Sequence, residues 1–203
     1  MRKSKWYLAI VVFFAVGVLG CSSTPKVTRV ETSEKIDLSG QWNDTDATLV
    51  SQEMIKDCLD KPWLFAFATK SQRNPVVIVG HITNQSHEHI NADVFTSSLE
   101  KELLNSGKVN FVASSDERGE VRGEREDQHK GYTDPETIQE IGKEKGADFI
   151  LKGSINTVKD EIKGKYAILY QVNLELINLK TNEKVWIGQK EIKKKVENSK
   201  YSL

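Results

Sequence analysis

The chain has 203 residues, with 29 Lys and Arg against 29 Asp and Glu, so its formal charge at pH 7 is zero. That balance argues against nucleic acid as a partner, because nucleic acid calls for a strongly basic face. Two cysteines, Cys21 and Cys58, are too few for a disulfide-built scaffold.

Residues 1–20 open with Arg2, Lys3 and Lys5, continue through an apolar stretch from Trp6 to Leu19, and end at Gly20 before Cys21. A basic start, a short apolar core and a small residue at the cut site predict a secretory signal peptide. As a helix, Trp6 to Gly20 would reach only about 22 Å, against roughly 30 Å of hydrocarbon, so a transmembrane anchor is disfavoured. Val18-Leu19-Gly20-Cys21 resembles the lipobox of bacterial lipoproteins, which implies cleavage before Cys21 and lipidation of that cysteine. Two or more acyl chains make such anchoring stable, at about 0.8 kcal/mol per buried methylene. Ser22 after the cysteine, where an aspartate usually marks inner-membrane retention, implies the outer membrane facing the periplasm. Losing Arg2, Lys3 and Lys5 from the 29 basic residues leaves 26 against 29 acidic ones, a charge of −3.

Residues 21–36 are polar and without apolar periodicity, and predict a flexible linker with an r.m.s. span of roughly 20 Å. Residues 37–197 hold enough chain for one core but not two, and residues 198–203 form a short tail. A helix is predicted from about Asp46 to Asp60, where Ala47, Val50, Met54 and Cys58 make one stripe and Pro62 closes the segment. Cys58 on that stripe reads as a buried small hydrophobe rather than a reactive thiol. Val76 to Val79 reads as a strand covered on both faces.

A second helix is predicted from about Ala92 to Ser106, carrying Phe95, Leu99 and Leu103, with Asn91 as cap and Gly107 at the left-handed position beyond its end. Val109 to Ala113 reads as a strand. Residues 114–132 are dense in both signs of charge, and either a solvated helix or a loop fits. Asp134-Pro135 signals a helix start, Ile138 and Ile141 give it an apolar side, and Gly146 ends it. Phe149 to Ile155 reads as a strand. Ile168, Tyr170, Val172, Leu174 and Leu176 alternate along one face of the next, and Val185 to Ile192 returns after a turn at Lys180 to Glu183. The expected fold is α/β (α+β): one domain with a single mixed sheet, helices packed on it and a long C-terminal β-hairpin.

No enzyme signature is present: no phosphate loop, nucleophile elbow or His-Glu-x-x-His. His87-Glu88-His89 is the one clustered ligand set, and with no third ligand nearby it reads as a polar turn rather than a metal site. Asp44 and Asp46 are explained by a helix start. No catalytic residue, no metal and no cofactor are therefore expected. Trp42, in the polar stretch Ser39 to Asp46, has little local reason to be there and predicts either a staple to the core or an interface anchor.

Asp37-Leu38-Ser39-Gly40-Gln41-Trp42-Asn43-Asp44-Thr45-Asp46 resembles the opening block of the LpoB family, outer-membrane lipoprotein activators of penicillin-binding proteins. Pro75 to Gly80, Gly146 to Gly153 and Tyr170 to Lys190 are similar to that family in the same order. The Gly-Ala-Asp and apolar-strand pieces are shared with a wider group whose fold is like the N-terminal domain of TolB. The resemblance implies a regulatory lipoprotein that binds a class A penicillin-binding protein in the inner membrane and stimulates it allosterically. It also implies no catalytic residues of its own, and a monomer is expected. The linker here is much shorter than the long, often Pro-rich one of the best-known members.

For the interface the expected residues are Trp42, Arg118, Arg122 and Arg125, because aromatics and Arg concentrate at hot spots. The rival reading is a structural or accessory lipoprotein of another outer-membrane assembly, a secretion or curli-like complex sharing the TolB-like core. Such a protein would need a long amphipathic hairpin able to enter a membrane. Lys184, Lys190 and Glu191 on the return strand favour a soluble sheet instead.

Overall fold

A computed structural model describes residues 28–31, 34–37, 39–142 and 144–197. The predicted signal segment, Cys21, most of the linker and the tail 198–203 lie outside the described residues. The chain divides into two units, Met1–Lys35 and Ile36–Leu203, and the fold below belongs to the second. Among the described residues, no helix is long and apolar enough to cross a membrane.

The first helix, α1, spans Asp44–Leu59. Asn43 and Asp46 close a capping box at its start, so two of the helix's orphan N–H groups are satisfied by side chains. Its buried stripe includes Ala47, Val50, Met54 and Cys58, the predicted residues, with Ile55 and Leu59 beside them. The helix ends within a residue of the expected Asp60, and Pro62 also begins a second helix, α2, Pro62–Ser71, which the sequence did not announce. Proline is favoured at the first helical position because its missing N–H would be unpaired there anyway.

Strand β1, Val76–Gln85, runs well beyond the predicted Val79. One extra residue between Val79 and Ile82 forms a bulge, which lets both side chains point into the core. Helix α3, Ala92–Asn105, is capped by Asn91 and buries Phe95, Leu99 and Leu103, and Gly107 has φ +64° as its role beyond the helix requires. Strand β2 shrinks to Asn110–Phe111. The charged segment becomes a helix, α4, Ser115–Gln128, with a Ser114–Glu117 capping box and no buried residue.

The helix predicted from Asp134 does not form. Asp134 organises only one turn, accepting from the N–H groups of Glu136 through its side chain and Thr137 through its carbonyl. Ile141 is exposed, and a short helix without a buried face has too little to offset its nucleation cost.

Three strands of 14 residues follow: β3 Phe149–Ile162, β4 Lys165–Asn178 and β5 Lys184–Glu197. The sheet order is β2-β1-β3-β4-β5, with β1 parallel to both β2 and β3 and the other pairs antiparallel. This is one mixed sheet with a long C-terminal hairpin, β4–β5. Ile168, Tyr170, Val172, Leu174 and Leu176 are all buried, so the alternation read from the sequence is the core face of β4. Helix α1 packs against α3 and β5, and α3 packs against β1, which closes the core from one side.

The long strands, about 46 Å each at 3.3 Å per residue, give the domain two ends. One end, called the hairpin end after the β3–β4 turn, holds that turn and the last residues of β5; the turn between β4 and β5 lies at the other. At the far end lie the start of β3 and, packed on Phe149, the rings of Trp63 and Phe67 from α2 at 5.0 and 5.3 Å.

Candidate functional site

At the hairpin end, residue 37 and residues 39–43 lie as a strap across the core face of the sheet. Trp42 is half-buried, its ring 5.6 Å from Tyr170 and 6.0 Å from Phe95, while its backbone N–H donates to Glu88 at 3.2 Å. Of the two roles predicted for Trp42, the geometry shows the staple. Tyr170 donates its hydroxyl to the same Glu88 carboxylate at 2.7 Å, and Tyr166 donates to the Ser39 carbonyl at 2.6 Å. Burial first, and the Glu88 carboxylate second, push the Tyr170 hydroxyl far above its usual range.

Lys194 ties the strap down. Its Nζ lies 2.6 Å from Asp46 and 2.9 Å from Asp37, and donates to the Gln41 carbonyl at 2.8 Å. Burial pulls the ammonium down, but the hydrogen bonds to Asp46 and Asp37 outweigh it and hold the group above its usual value. The Lys194 hydrogen bond in turn holds Asp37 below the usual carboxylate range. Asp46 therefore serves two structures, the capping box and this ion cluster.

Glu88 is thus a structural acceptor. His87 meets Thr157 through both its N–H and Nδ1, at 3.1 and 3.0 Å, which makes the His-Glu-His stretch a turn pinned to β3. Among the described residues, no group of three or more His, Cys, Asp or Glu could hold a metal ion. Cys58 is fully buried, and desolvation pushes its thiol up to about 12.

The arginines form a separate group on α4. Arg122 grips Glu144 in a bidentate pair, both contacts at 2.7 Å, and Arg125 approaches the same carboxylate at 3.7 Å. The Arg122 hydrogen bond first holds Glu144 below its usual range. Arg118 has its Nε buried with no hydrogen-bond partner. Arg122, Arg125, Ile141, Gly142 and Glu144 line a hollow of about 360 Å³ between α4 and the segment that precedes β3. Two of the three predicted arginines therefore brace α4, whereas Trp42 belongs to the strap at the hairpin end.

The far end holds a surface that the sequence reading missed. Helix α2 anchors itself with Trp63, whose indole N–H donates to the Cys58 carbonyl at 2.7 Å, and leaves Phe65 76% exposed. Arg73 pairs with Asp148 through two contacts of 2.7 Å and stacks 5.1 Å from the centre of Phe67. Phe65, Leu64, Pro62 and Lys108 line a hollow of about 590 Å³. The run Pro62-Trp63-Leu64-Phe65-Ala66-Phe67-Ala68 behind a helix-starting proline was the available signal.

Residues 46–192 match the family model described as peptidoglycan-synthase activator LpoB. No curated protein matches the chain. Among solved structures, the LpoB C-terminal domain from Escherichia coli is 18% identical, covering 72% of this chain and 98% of that one, with a TM-score of 0.45. The NMR structure of E. coli LpoB is 15% identical over 88% of this chain and 87% of that one, at a TM-score of 0.40. Lipoprotein GNA1162 from Neisseria meningitidis is 14% identical over 63% and 88%, at 0.39. With superposition scores this low, the family assignment rests on the sequence match alone.

Proposed function

This chain belongs to the LpoB family of peptidoglycan-synthase activators, and from that premise we propose that it is an outer-membrane lipoprotein, anchored through Cys21, that binds and allosterically activates a class A penicillin-binding protein from the periplasmic side. The observation that carries the reading is the extent of the family match, which runs from the third residue of α1 into β5 and so takes in the core of the fold. The family role is regulatory, and in this reading the chain, acting as a monomer, supplies binding surface rather than catalytic groups. Its tenfold to hundredfold preference for the active synthase would correspond to about 1.4–2.8 kcal/mol of coupling.

Two placements support a division of labour within the domain. The strap that carries Trp42 brings the N-terminal chain in at the hairpin end. The exposed Phe65 of α2 lies at the far end, and the α4 arginines are braced to Glu144, five residues before β3 begins there. In this reading Arg118, Arg122 and Arg125 contact the synthase, and Trp42, expected from the sequence as a staple or an interface anchor, acts indirectly by seating the strap.

The test is affinity capture of tagged full-length protein from cross-linked, detergent-solubilised envelopes, read by mass spectrometry beside a Cys21→Ala control, followed by glycan polymerisation with the purified synthase. Recovery of a class A synthase above the control, and a faster polymerisation rate, support the reading. Arg122→Gln with Arg125→Gln should weaken both, while the melting temperature falls by only a few degrees because the pairs with Glu144 are partly exposed. Recovery of only secretion or other outer-membrane components would overturn it.

A further inference from the structure

Strand β3 outruns β1. Their last pairing sets Gln85 opposite Asn156, and from Thr157 to Ile162 the strand pairs with β4 only. On the face away from the helices, this protruding end is built from three cross-strand rows: Val158–Leu169–Lys193, Asp160–Ala167–Lys195 and Ile162–Lys165–Glu197. The small Ala167 leaves a hollow of about 540 Å³, rimmed by Lys165, Lys193, Lys195, Asp160 and Ile162. Val158 and Ile162 stand 65% and 68% exposed beside it.

The charge there is unbalanced. Lys165 and Lys195 share one carboxylate, Glu197, at 3.4 and 2.6 Å. Lys193, and Lys163 in the turn, form no ion pair among the described residues. Four lysines thus meet three carboxylates, Asp160, Glu197 and, one row further along the same face, Glu191, while Lys159 is matched by Glu161 and Lys194 by Asp37 and Asp46.

The chain enters the domain at this same end. Asp37 pairs with Lys194, the Ser39 carbonyl accepts from Tyr166, and Gly40, at φ +71°, sits so tightly on Val196 that a Cβ would come within 2.2 Å of its methyl. The start of the domain therefore lies at the end that carries the lysines, and the linker expected from the sequence, residues 21–36, has an r.m.s. span of roughly 20 Å.

We propose that the β3–β4 tip is a foot that stands on an anionic phospholipid bilayer. Lys163, Lys165, Lys193 and Lys195 meet the lipid phosphates, and Val158 and Ile162 enter the headgroup boundary between them. The inference rests on the lipid-anchor reading above, which puts such a bilayer within the tether's reach. Lysine stems lie along apolar surface while their ammonium groups stay among phosphates, and anionic lipids attract juxtamembrane lysines over about a Debye length. The short tether keeps the foot at high local concentration, so contacts too weak to recruit a free protein suffice. Planted this way, the domain rests on the outer face of its β3–β4 end, the face that carries these rows, with α2 at the opposite end of the strands.

The experiment uses the lipidated full chain in phosphatidylcholine vesicles with and without phosphatidylglycerol. A fluorophore is placed at Ile162→Cys, with Phe65→Cys as the far-end reference; buried Cys58 stays unlabelled. The expected result is protection of the 162 label from an aqueous quencher only in phosphatidylglycerol vesicles, fading as salt rises, with the 65 label open in both. Lys163→Gln with Lys193→Gln should lower the docked-to-undocked ratio about 30-fold, roughly fivefold per lysine, at an unchanged melting temperature. A protein that floats with both vesicles but shows an equally open 162 label in each overturns the foot. So does protection by soluble peptidoglycan fragments in place of the anionic lipid. A protein that floats with neither vesicle overturns the anchor on which the inference rests.

Discussion

Replacing Lys194 by Met removes the ammonium at the centre of the strap while keeping a stem of similar length. In the native protein that ammonium lies 2.6 Å from Asp46, and the two side chains are only 10% and 8% exposed. Breaking a buried ion pair from one side costs roughly 3–5 kcal/mol, because a charge is left without compensation. Asp46 keeps the Asn43 N–H at 3.0 Å, so the lower end, about 3 kcal/mol, applies. For a domain of this size that is a fall in melting temperature of about 9 °C, at about 3 °C per kcal/mol. Asp37→Asn should cost under about 1 kcal/mol, because Asp37 is half exposed.

Thermal melts across pH carry the sharper test. Asp37 is held below its usual 3.8, so its contribution is present above that value and is lost as pH falls through the lower folded one. Lys194 is held above 10.5, so its contribution is present below 10.5 and is lost as pH rises through the raised value. Lys194→Met should flatten both limbs. A fall of less than about 2 °C, or a pH profile parallel to the wild type, would refute the claim that this cluster holds the strap.

Gly153→Ala should destabilise strongly, by about 3 kcal/mol or more in urea unfolding, because the new Cβ would lie 2.1 Å from the Asn173 carbonyl oxygen of the paired strand. Tyr170→Phe should cost about 1–3 kcal/mol, since Glu88 loses a donor at a part-buried site, and tryptophan emission should report a looser Trp42. Cys58 should resist thiol reagents in the folded protein and react at the rate of a free cysteine in urea. The unfolded thiol ionises near 9.0 and the folded one near about 12, so stability should decline as pH climbs between those values; Cys58→Ala should remove the part of that decline between pH 9 and 10 and make it shallower above, where Tyr170 and Lys194 also contribute.

Several features that depend on near neighbours were legible in the sequence. The period-two run from Ile168 to Leu176 marked a half-buried strand, because each side chain's face follows from its position alone. The Asn91 cap and the glycine at 107 marked the limits of α3 for the same local reason. Local signals also misled where burial decided the outcome. Asp134-Pro135 is as good a helix start as Lys61-Pro62, yet only the second segment has a core to bury Trp63 against. The charged run after Ser114 fitted a helix or a loop, and the bidentate grip of Arg122 on Glu144, with its capping box, accompanies the helix.

The strap lies beyond any local signal. Lys194 and Gln41 are 153 positions apart, and Tyr170 and Glu88 are 82 apart. Nothing about a lysine on an edge strand announces which carboxylates will reach it. Composition, spacing and motif resemblance determined the anchor expectation, the fold class and the family. The tertiary structure alone decided that Trp42 faces inward and that the chain enters at the lysine-rich hairpin end. It also decided that an exposed phenylalanine sits at the opposite end. Those are matters of which surfaces meet, and a burial stripe specifies that a face is covered without specifying by what.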